Sequence, residues 1–555
     1  MTGAPTSHPP AARGMIAEHH RLIAMRDGVS LAADIWRPAD EIPAPALLIR
    51  TCYGRAHPGY VEHGAWWSAA GYALIVQDVR GRGASEGQFY PLASERIDGA
   101  DTIEWIAAQR WCDGQVVMAG ASYLALAQYH AALEAPAALR ALAPAAVPGD
   151  PDRGFPVSHG LLSPAALPWA ALMDGVAEES IAALDLAALY AGRPLIEQDA
   201  AFGRRLPVWR DWAGHAADAD WWAPFRYQEA AAKSALPMLH ISGWYDDCLG
   251  GVLENYAQLA AAGRAEQRLI VGPWLHAGLG GRCAGDVDYG QAAALDLRAA
   301  TRDFFDARLG RRRPEPGAAP VRLFVMGRNA WIDALAWPLP GTTYRSFYLD
   351  SDGRANSSEG DGRLSEAPPA GKASDVFVHD PARPIPFGAP DWQQIGGPDD
   401  CGAVELRRDM LVYTSAPLAA PLLVCGPLRV ILYAATSAVD ADWTAKILVV
   451  AADGTPRRLN DGAVRARFRG GTAAERLLVP GAVERYEIDC WATCIELAPG
   501  ECIRVEIASS AFGKFDVNFG DGSAPGQGIA APPSEQHVYH DAARPSCLLL
   551  PVIER

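Results

Sequence analysis

The sequence of 555 residues contains no long hydrophobic run. A membrane-spanning helix needs about 20 successive apolar residues, and no stretch reaches that length. The N-terminal segment 1–15 is rich in proline and alanine and lacks the apolar centre of a secretory signal peptide. We therefore expect no membrane association, no signal peptide and a disordered tail over residues 1–15.

Closely spaced cysteine pairs are also missing. The ten cysteines are scattered, with no C-x-x-C motif and no spacing typical of a zinc site, so we predict no metal. Cys490 and Cys494 fall in a predicted strand, where a separation of four residues puts both on one face, and we interpret them as buried thiols. This cysteine usage favours the reducing cytoplasm as the location.

Positive charge is in short supply. Lys and Arg number 49 against 65 Asp and Glu, which gives a formal net charge of -16. Nucleic acids and anionic membranes are bound by basic patches, so this balance argues against both as partners. The glycine-rich stretch 79–87 lacks the G-x-G-x-x-G pattern, and no helix directly follows it, so we interpret it as a structural loop rather than a dinucleotide site. We predict no cofactor.

What the sequence does contain is a short apolar run that ends in small residues around one serine, Ser122, within the segment 115–125. The following segment 124–133 has no Gly or Pro and predicts a helix. Strand, tight turn, serine and helix are the layout of a nucleophile elbow, whose strained backbone requires small neighbours such as Gly120. The G-x-S-x-G pattern is incomplete, because Leu124 replaces the second glycine, and the run taken alone fits a plain strand-to-helix turn.

Apolar strands and helices alternate around this serine, which indicates a mainly parallel sheet covered on both faces. Alanine and tryptophan then dominate a strand-poor segment, the buried strands resume, and the C-terminal part consists of many short strands separated by turns. We predict four segments: an α/β core over 1–147, a helical cap over 148–235, the second part of the core over 236–344, and a jelly-roll β domain over 345–555.

One aspartate and one histidine follow two later strands of this core. Asp246 comes just after the predicted strand 236–243, and His276 just after the strand 268–271. The carboxyl ends of parallel strands lie at one edge of a sheet, and the chain order serine, acid, histidine is that of α/β-hydrolases. We therefore predict that Ser122, Asp246 and His276 form a catalytic triad, in which the carboxylate orients the histidine and the histidine activates the serine.

Other residues compete for two of these roles. Asp247 competes with Asp246 for the acid, because the sequence does not determine which side chain points inward. His240, His130 and His63 compete for the base. His240 falls inside a strand and His130 inside a helix, and both positions favour structural roles.

The oxyanion that forms when a serine attacks a carbonyl needs hydrogen-bond donors. We expect one to be the main-chain N–H of Tyr123, the residue after the nucleophile. The second must come from the loop after the strand 46–50, which has no glycine run but contains Tyr53. A phenol hydroxyl can donate as an N–H would, although in isolation Tyr53 fits a loop-packing role better.

Six motifs support these assignments together: Arg50-Thr51-Cys52-Tyr53, residues 77–87, Trp111-Cys112-Asp113-Gly114, Gly120-Ala121-Ser122-Tyr123, Gly243-Trp244-Tyr245-Asp246, and Gly272-Pro273-Trp274-Leu275-His276. With them the sequence resembles the CocE/NonD hydrolases, the family of bacterial cocaine esterase, α-amino-acid ester hydrolases and X-prolyl dipeptidyl aminopeptidases. The resemblance runs from about Arg21 to the C-terminus and includes the segment 437–446. It implies an α/β-hydrolase core, a helical cap insertion and a C-terminal all-β jelly-roll sandwich.

The resemblance also implies site residues. It carries the triad onto Ser122, Asp246 and His276, and the oxyanion donors onto Tyr53 and the Tyr123 amide.

For the substrate pocket, Trp169 resembles a cap tryptophan that lines the acyl site, and we assign Trp244 and Asp247 to the pocket as well. Two positions depart from the family, because Ala125 and Asp247 stand where members usually have glycine. Alanine is still small, whereas the Asp247 carboxylate could change substrate choice.

The sequence thus predicts a serine esterase that cleaves a small-molecule ester, or a short acyl or peptide substrate, through an acyl-enzyme. An X-prolyl dipeptidyl aminopeptidase is the alternative, since Asp247 could bind the free amine of a substrate. A remote alternative is a non-catalytic protein whose β domain binds glycans, which would require a broken triad or an aromatic platform. The natural substrate and homo-oligomerisation are left open by the sequence.

Overall fold

The computed structural model describes residues 14–554, except 41, 314–316, 371–373, 389–390, 392, 394 and 472–473. Most of the tail predicted over residues 1–15 lies outside the described residues. The prediction is wrong at its end, because the first strand begins at Met15.

The chain begins with strands and helices that alternate along the sequence. They are β1 (Met15–Ala24), β2 (Ser30–Pro38), β3 (Ala44–Thr51), α1 (Gly59–Ala69), β4 (Ala73–Asp78), α2 (Glu95–Ala107), β5 (Cys112–Ala121), α3 (Tyr123–Ala132) and β6 (Leu139–Ala145). Every residue of β3 and of β4 is buried. Their almost wholly apolar sequences fit this position, because helices cover both faces of a parallel sheet.

A helical segment follows. It contains β7 (Val157–Ser158), β8 (Leu161–Leu162), α4 (Ala166–Met173), α5 (Glu178–Ala182), α6 (Leu186–Ala191), a 3₁₀ segment (Leu195–Phe202), α7 (Pro207–Gly214), α8 (Ala219–Trp222) and α9 (Gln228–Ala231). These short helices pack on a core of their own, which includes the buried rings of Trp209, Trp212 and Trp222. We call this segment the cap.

The first sheet resumes after the cap, with β9 (Met238–Gly243), α10 (Leu249–Ala262), β10 (Gln267–Gly272), β11 (Cys283–Ala284), β12 (Val287–Asp288), α11 (Leu297–Arg308), β13 (Val321–Val325) and β14 (Ala330–Ala334). The sheet has ten strands in the order β1-β2-β4-β3-β5-β6-β9-β10-β13-β14. From β4 to β13 neighbouring strands are parallel. The carboxyl ends of β3, β5, β9 and β10 therefore lie at one edge, and the segments that follow these four strands meet there.

The rest of the chain is almost entirely β-structure. Its strands are β15 (Thr342–Asp350), β16 (Arg363–Ser365), β17 (Ser374–His379), β18 (Leu411–Ser415), β19 (Leu422–Thr436), β20 (Asp442–Val450), β21 (Pro456–Arg465), β22 (Glu484–Leu497), β23 (Cys502–Ala508), β24 (Ser534–Asp541), β25 (Arg544–Pro545) and β26 (Cys547–Ile553). They form one network of twelve strands, which agrees with the predicted jelly-roll sandwich. The predicted boundaries between the four segments stay predictions.

Two cysteines of this β domain are joined. Cys425 on β19 and Cys494 on β22 form a disulfide across directly paired positions of the two antiparallel strands. The prediction that Cys494 is a free thiol is therefore wrong, whereas Cys490 is free and buried as expected. This pairing could not be predicted from the sequence, because strand register brings together residues that are 69 positions apart. In the part of the chain that the structure describes, no helix has both the length and the apolarity to cross a membrane.

A buried arginine joins the β domain to the cap. Arg465 is 2% exposed, and its guanidinium donates to Asp442 Oδ1 at 2.8 Å and to Asp516 Oδ1 at 3.1 Å. It also donates to the carbonyl of Gly160 in the cap at 3.0 Å. Asp516 in turn accepts the main-chain N–H of Leu162 at 2.8 Å. One cation thus stabilises two buried carboxylates, and together with Asp516 it binds one stretch of cap backbone, at Gly160 and Leu162.

We expect Arg465→Met to lower the free energy of unfolding by about 3–5 kcal/mol, because it leaves the Asp442 and Asp516 carboxylates buried without their counter-charge. Urea denaturation followed by fluorescence measures the loss. Arg429→Met is the matched control, since Arg429 forms an ion pair with Glu487 in which both side chains are over 40% exposed, and such pairs contribute about 0–1 kcal/mol. Equal decreases in the free energy of unfolding of the two variants would contradict the assignment of Arg465 as a residue that stabilises the contact between the β domain and the cap.

Candidate active site

Ser122 lies at the carboxyl edge of the first sheet, in the turn between β5 and α3. Its backbone has φ 60° and ψ -124°, a conformation that non-glycine residues rarely adopt. The sheet holds this turn in place, because the Ser122 N–H donates to the carbonyl of Ala145 at the end of β6 at 3.0 Å. The side chain therefore stands at the N-terminus of α3, as the nucleophile-elbow pattern predicts.

The incomplete motif has a structural explanation. Gly120 has φ +146°, and a Cβ atom there would lie 2.5 Å from the Cβ of Leu124. Gly120, the first glycine of the G-x-S-x-G pattern, thus leaves room for the side chain of Leu124, which stands in place of the second glycine. Ala125 is completely buried, so its small size is required by packing as the sequence suggested.

His276 and Asp246 are brought together by the ends of β10 and β9. The Nδ1 atom of His276 lies 2.8 Å from Oδ1 of Asp246. The Asp246 side chain is fully buried and is held by two further donors, the Ser242 hydroxyl at 2.7 Å and the Cys248 N–H at 3.0 Å. These bonds fix one carboxylate oxygen toward the imidazole. The N–H of Nδ1 can therefore point at Asp246, which leaves Nε2 free to accept a proton.

Asp247 also approaches the imidazole. Its Oδ1 lies 3.3 Å from His276 Nδ1, and among the described residues that atom has no hydrogen-bond donor. Asp246 is both closer and better held, so the geometry favours it over Asp247 as the orienting acid. The imidazole of His276 thus lies between two carboxylates, where a catalytic triad has one histidine–carboxylate pair.

The two carboxylates determine the acid–base properties of the site. Burial lowers the pKa of His276, but the charges of Asp247 and Asp246 outweigh burial and raise that pKa to about 9. Burial raises the pKa of Asp247 to about 6, and the neighbouring Asp246 charge adds to the rise. The pKa of Asp246 lies below its ordinary value in spite of burial, because His276 and the donors from Ser242 and Cys248 stabilise its charge.

Tyr53 follows β3, the strand next to β5, and reaches the same edge. Its hydroxyl accepts a hydrogen bond from the Trp169 indole N–H at 3.2 Å, and the Ser122 hydroxyl faces the same oxygen. Although 47% of Tyr53 is exposed, the hydroxyl itself lies among protein atoms whose desolvating effect raises the pKa of Tyr53, so the phenol stays protonated and remains a donor. The packing role that suits Tyr53 in isolation does not fit this position beside the serine.

A cavity of about 480 Å³ opens at this edge of the sheet. Its wall includes five of the predicted site residues, Ser122, His276, Tyr53, Trp169 and Asp247. A narrow apolar recess continues from Ser122 and Tyr123 into the cap, between aromatic and proline side chains: Pro91, Leu92, Pro151, Phe155, Pro156, Trp169, Trp212, Trp222 and Phe225.

Trp244 is the one predicted pocket residue that lies elsewhere. It is 2% exposed, donates its indole N–H to the carbonyl of Phe324 on β13 at 2.7 Å and packs against Trp337. Its assignment to the substrate pocket is therefore wrong. The motif places Trp244 two residues before Asp246, but the Trp244 indole contacts β13 whereas Asp246 contacts His276.

The competing histidines do not line the cavity. His240 lies fully buried between Tyr129 and Gln267, and burial lowers its pKa to about 4. Burial also lowers the pKa of His130 to about 4. Both have the structural surroundings that their places in a strand and a helix suggested.

Sequence reasoning missed Arg82 and Glu95 as supports of the site. Arg82 donates to the carbonyl of Cys52, the residue before Tyr53, at 2.9 Å and to the carbonyl of Met173 at the end of α4. The Glu95 carboxylate accepts the Tyr123 hydroxyl at 2.9 Å. Arg82 belongs to the glycine-rich motif 77–87, so the motif carried a signal, but no pattern pointed to Glu95.

The fold and the geometry of this edge define a class, the serine hydrolases of the α/β-hydrolase fold. Comparisons with known proteins narrow it. Residues 27–278 match the X-Pro dipeptidyl-peptidase (S15 family) domain, and residues 317–549 match the X-Pro dipeptidyl-peptidase C-terminal non-catalytic domain. The chain is 36% identical to the cocaine esterase of Rhodococcus sp. (strain MB1 Bresler), over 96% of this chain and 98% of that one.

Two solved structures resemble the whole chain. An aminopeptidase from a marine-sediment Thaumarchaeota archaeon superposes with a TM-score of 0.87 at 26% identity, and an α-amino acid ester hydrolase with 0.86 at 25% identity. Each comparison covers 100% of this chain and 99% of the other. The chain belongs to the CocE/NonD hydrolases of the S15 family.

The paired carboxylates predict an alkaline pH profile. A general base must be neutral to accept a proton, so we expect kcat/KM for an ester to rise with pH through the pKa of His276, about 9. Asp247→Asn removes one of the two negative charges and lowers that pKa, which moves the acid limb to lower pH by about one pH unit or more. A pH-stat assay with an alkyl ester at constant ionic strength measures the limb without interference from a titrating product.

Glu178→Gln serves as the control. Glu178 also lines the cavity, but it accepts a hydrogen bond from Gln393 at 2.6 Å and is not among the groups that shift the pKa of His276. Its acid limb should coincide with that of the wild type. A limb that stays in place in Asp247→Asn would show that Asp247 does not act on the base.

Proposed function

We propose that this protein is a serine esterase that forms an acyl-enzyme on Ser122. The observation that carries the proposal is the meeting, in one cavity, of a strained serine, a phenol donor and an imidazole bound to a buried carboxylate. The chain is 36% identical to a cocaine esterase over 96% of its length, and this similarity supports ester cleavage as the reaction.

In the first half-reaction His276 takes the proton of the Ser122 hydroxyl through Nε2, and the serine oxygen attacks the ester carbonyl. The Asp246 carboxylate keeps the imidazole oriented and stabilises the imidazolium. Negative charge then develops on the carbonyl oxygen, which accepts hydrogen bonds from the Tyr53 hydroxyl and the Tyr123 amide. His276 returns its proton to the alcohol as that group leaves.

In the second half-reaction water takes the place of the alcohol. His276 removes a proton from the water, which attacks the acyl-enzyme, and the same two donors stabilise the second tetrahedral intermediate. The proton then returns to the oxygen of Ser122. The resulting acid leaves through the cavity, and the enzyme returns to its starting state.

The recess beside Ser122 indicates the acyl group. Its walls are aromatic rings and prolines, with Trp212 and Trp222 at its far side, and both rings are almost completely buried. Such a surface favours a flat or short apolar acyl group over a charged or bulky one. The wider, more polar side of the cavity, with His57, Glu178 and Gln393, is left for the alcohol part of the ester.

An X-prolyl dipeptidyl aminopeptidase remains the second candidate, because the S15 match includes that activity and Asp247 presents a carboxylate to the cavity. We favour the esterase, since Asp247 lies against His276 and a carboxylate that interacts with the catalytic base is less available to a substrate amine. The glycan-binding alternative has no support, because the histidine and its carboxylate are in contact. The cytoplasmic location and the absence of nucleic-acid and membrane partners stay predictions from the sequence.

We expect Ser122→Ala to reduce hydrolysis of a p-nitrophenyl ester by about 10³–10⁶-fold, in line with the loss of a catalytic nucleophile. Reaction of the wild type with a fluorophosphonate probe, and the absence of label in Ser122→Ala, checks the assignment independently. Near-wild-type turnover in the variant would end the proposal.

A substrate panel separates the two candidate activities. Aryl and alkyl esters with acetyl, butyryl and benzoyl groups are compared with a Gly-Pro anilide on the same preparation. The proposal expects kcat/KM for the best ester to exceed that for the anilide by orders of magnitude. Comparable or faster cleavage of the anilide would favour the peptidase.

A further inference from the structure

A residue of the cap binds the Tyr53 hydroxyl, although Tyr53 itself follows a strand of the core. Trp169 lies on α4 of the cap, and its indole N–H donates to the Tyr53 oxygen at 3.2 Å. A phenol has one proton to donate. Because the indole supplies the proton of this contact, the proton of Tyr53 itself is left to point elsewhere, and the Ser122 side of the cavity lies next to it.

The indole ring cannot turn away easily. It stacks on Trp212 with a centroid distance of 5.3 Å and an interplanar angle of 14°, and on Tyr123 at 6.3 Å and 28°. Tyr123 is anchored in turn, because its hydroxyl donates to the buried Glu95 at 2.9 Å. Trp169 is thus held between a cap ring and the residue that follows the nucleophile.

A second contact joins α4 to the main chain beside Tyr53. The Arg82 guanidinium donates both to the carbonyl of Cys52 and to that of Met173, the last residue of α4. A cation is favourable at a helix C-terminus. The cap helix α4 therefore contacts Tyr53 in two ways. Trp169 of α4 binds the Tyr53 hydroxyl, and Met173 of α4 is linked through Arg82 to the main chain of Cys52.

We propose that Trp169 is a positioning residue for the oxyanion donor Tyr53, and not only a wall of the acyl pocket. The indole N–H orients the phenol and polarises its O–H bond, so that the donor strengthens as charge develops on the substrate oxygen. This inference rests on the proposed function. It assigns Trp169 an effect on the transition state that is exerted through Tyr53 alone.

A double-mutant cycle tests this coupling. Kinetics are measured for the wild type, Trp169→Phe, Tyr53→Phe and the double variant, with p-nitrophenyl acetate as substrate, since its acetyl group is too small to need the far wall of the recess. Tyr53→Phe should reduce kcat by about 10²–10³-fold, as expected for the loss of one oxyanion donor.

Trp169→Phe keeps an aromatic ring but removes the N–H, and we expect kcat and kcat/KM to fall together by about five- to tenfold, the effect of one neutral hydrogen bond. Equal losses in both constants indicate an interaction made in the transition state. In the Tyr53→Phe background the same substitution should change kcat by less than about twofold, because no hydroxyl remains to be oriented.

Trp222→Phe is the matched control. Trp222 lines the same recess, but its indole N–H donates to the carbonyl of His215 at 2.9 Å and its ring packs on Trp212, Trp221 and Phe225. This control substitution should reduce kcat by the same factor in the wild-type background and in the Tyr53→Phe background. Active-site titration with a fluorophosphonate and the thermal midpoint establish that each variant is folded, and kcat is expressed per titrated site.

Two results would overturn the proposal. One is a loss from Trp169→Phe that is as large in Tyr53→Phe as in the wild type, which would make the tryptophan a packing residue only. The other is a Tyr53→Phe variant with undiminished kcat. The second result would also remove Tyr53 as an oxyanion donor. Neither result bears on the formation of an acyl-enzyme on Ser122, which is tested separately by the activity and labelling of Ser122→Ala.

Discussion

The structure depends on one strained backbone position. Ser122 has a positive φ between a central strand and a helix, and such a conformation costs on the order of 1–3 kcal/mol. The cost is offset by what surrounds it: β3 and β6 flank β5, the Ser122 N–H is bonded to Ala145, and α3 is buried along most of its length. A serine on a loop would need none of this packing, but it would not be fixed relative to the histidine.

The second constraint is electrostatic. Two adjacent carboxylates and one imidazole share a site from which water is largely excluded, since Asp246 is fully buried and Asp247 and His276 each have only about a fifth of their side chain exposed. One carboxylate is enough to orient a base. The second raises the pKa of His276, which makes the base stronger when neutral but less often neutral near pH 7. We therefore expect Asp247, the residue after the acid, to shift the pH range in which the site works.

The sequence was sufficient for the architecture and for most of the site, because both depend on local pattern and chain order. Apolar strands alternate with helices, and Ser122, Asp246 and His276 each follow a strand, so parallel pairing alone brings them to one edge. The features that could not be predicted from the sequence depend on the direction of a side chain or on the pairing of strands that are far apart in the sequence. Trp244 packs toward β13 although it lies three residues before Asp247, which lines the cavity, and Cys425 meets Cys494 across two paired strands. The bond from Trp169 to Tyr53 joins residues 116 positions apart.

That last contact bears on how the cap relates to catalysis. A main-chain N–H in an oxyanion hole is positioned by the turn that carries it, as the Tyr123 amide is by the first turn of α3. A phenol at the end of a long side chain has rotational freedom about its C–O bond and at χ1, and its orientation must come from neighbours. Here the neighbours are Trp169 and, through the backbone, Arg82, and both connect to α4. Because one of the two donors that we propose is a side chain, we infer that the site for the transition state is completed only when cap and core are in contact.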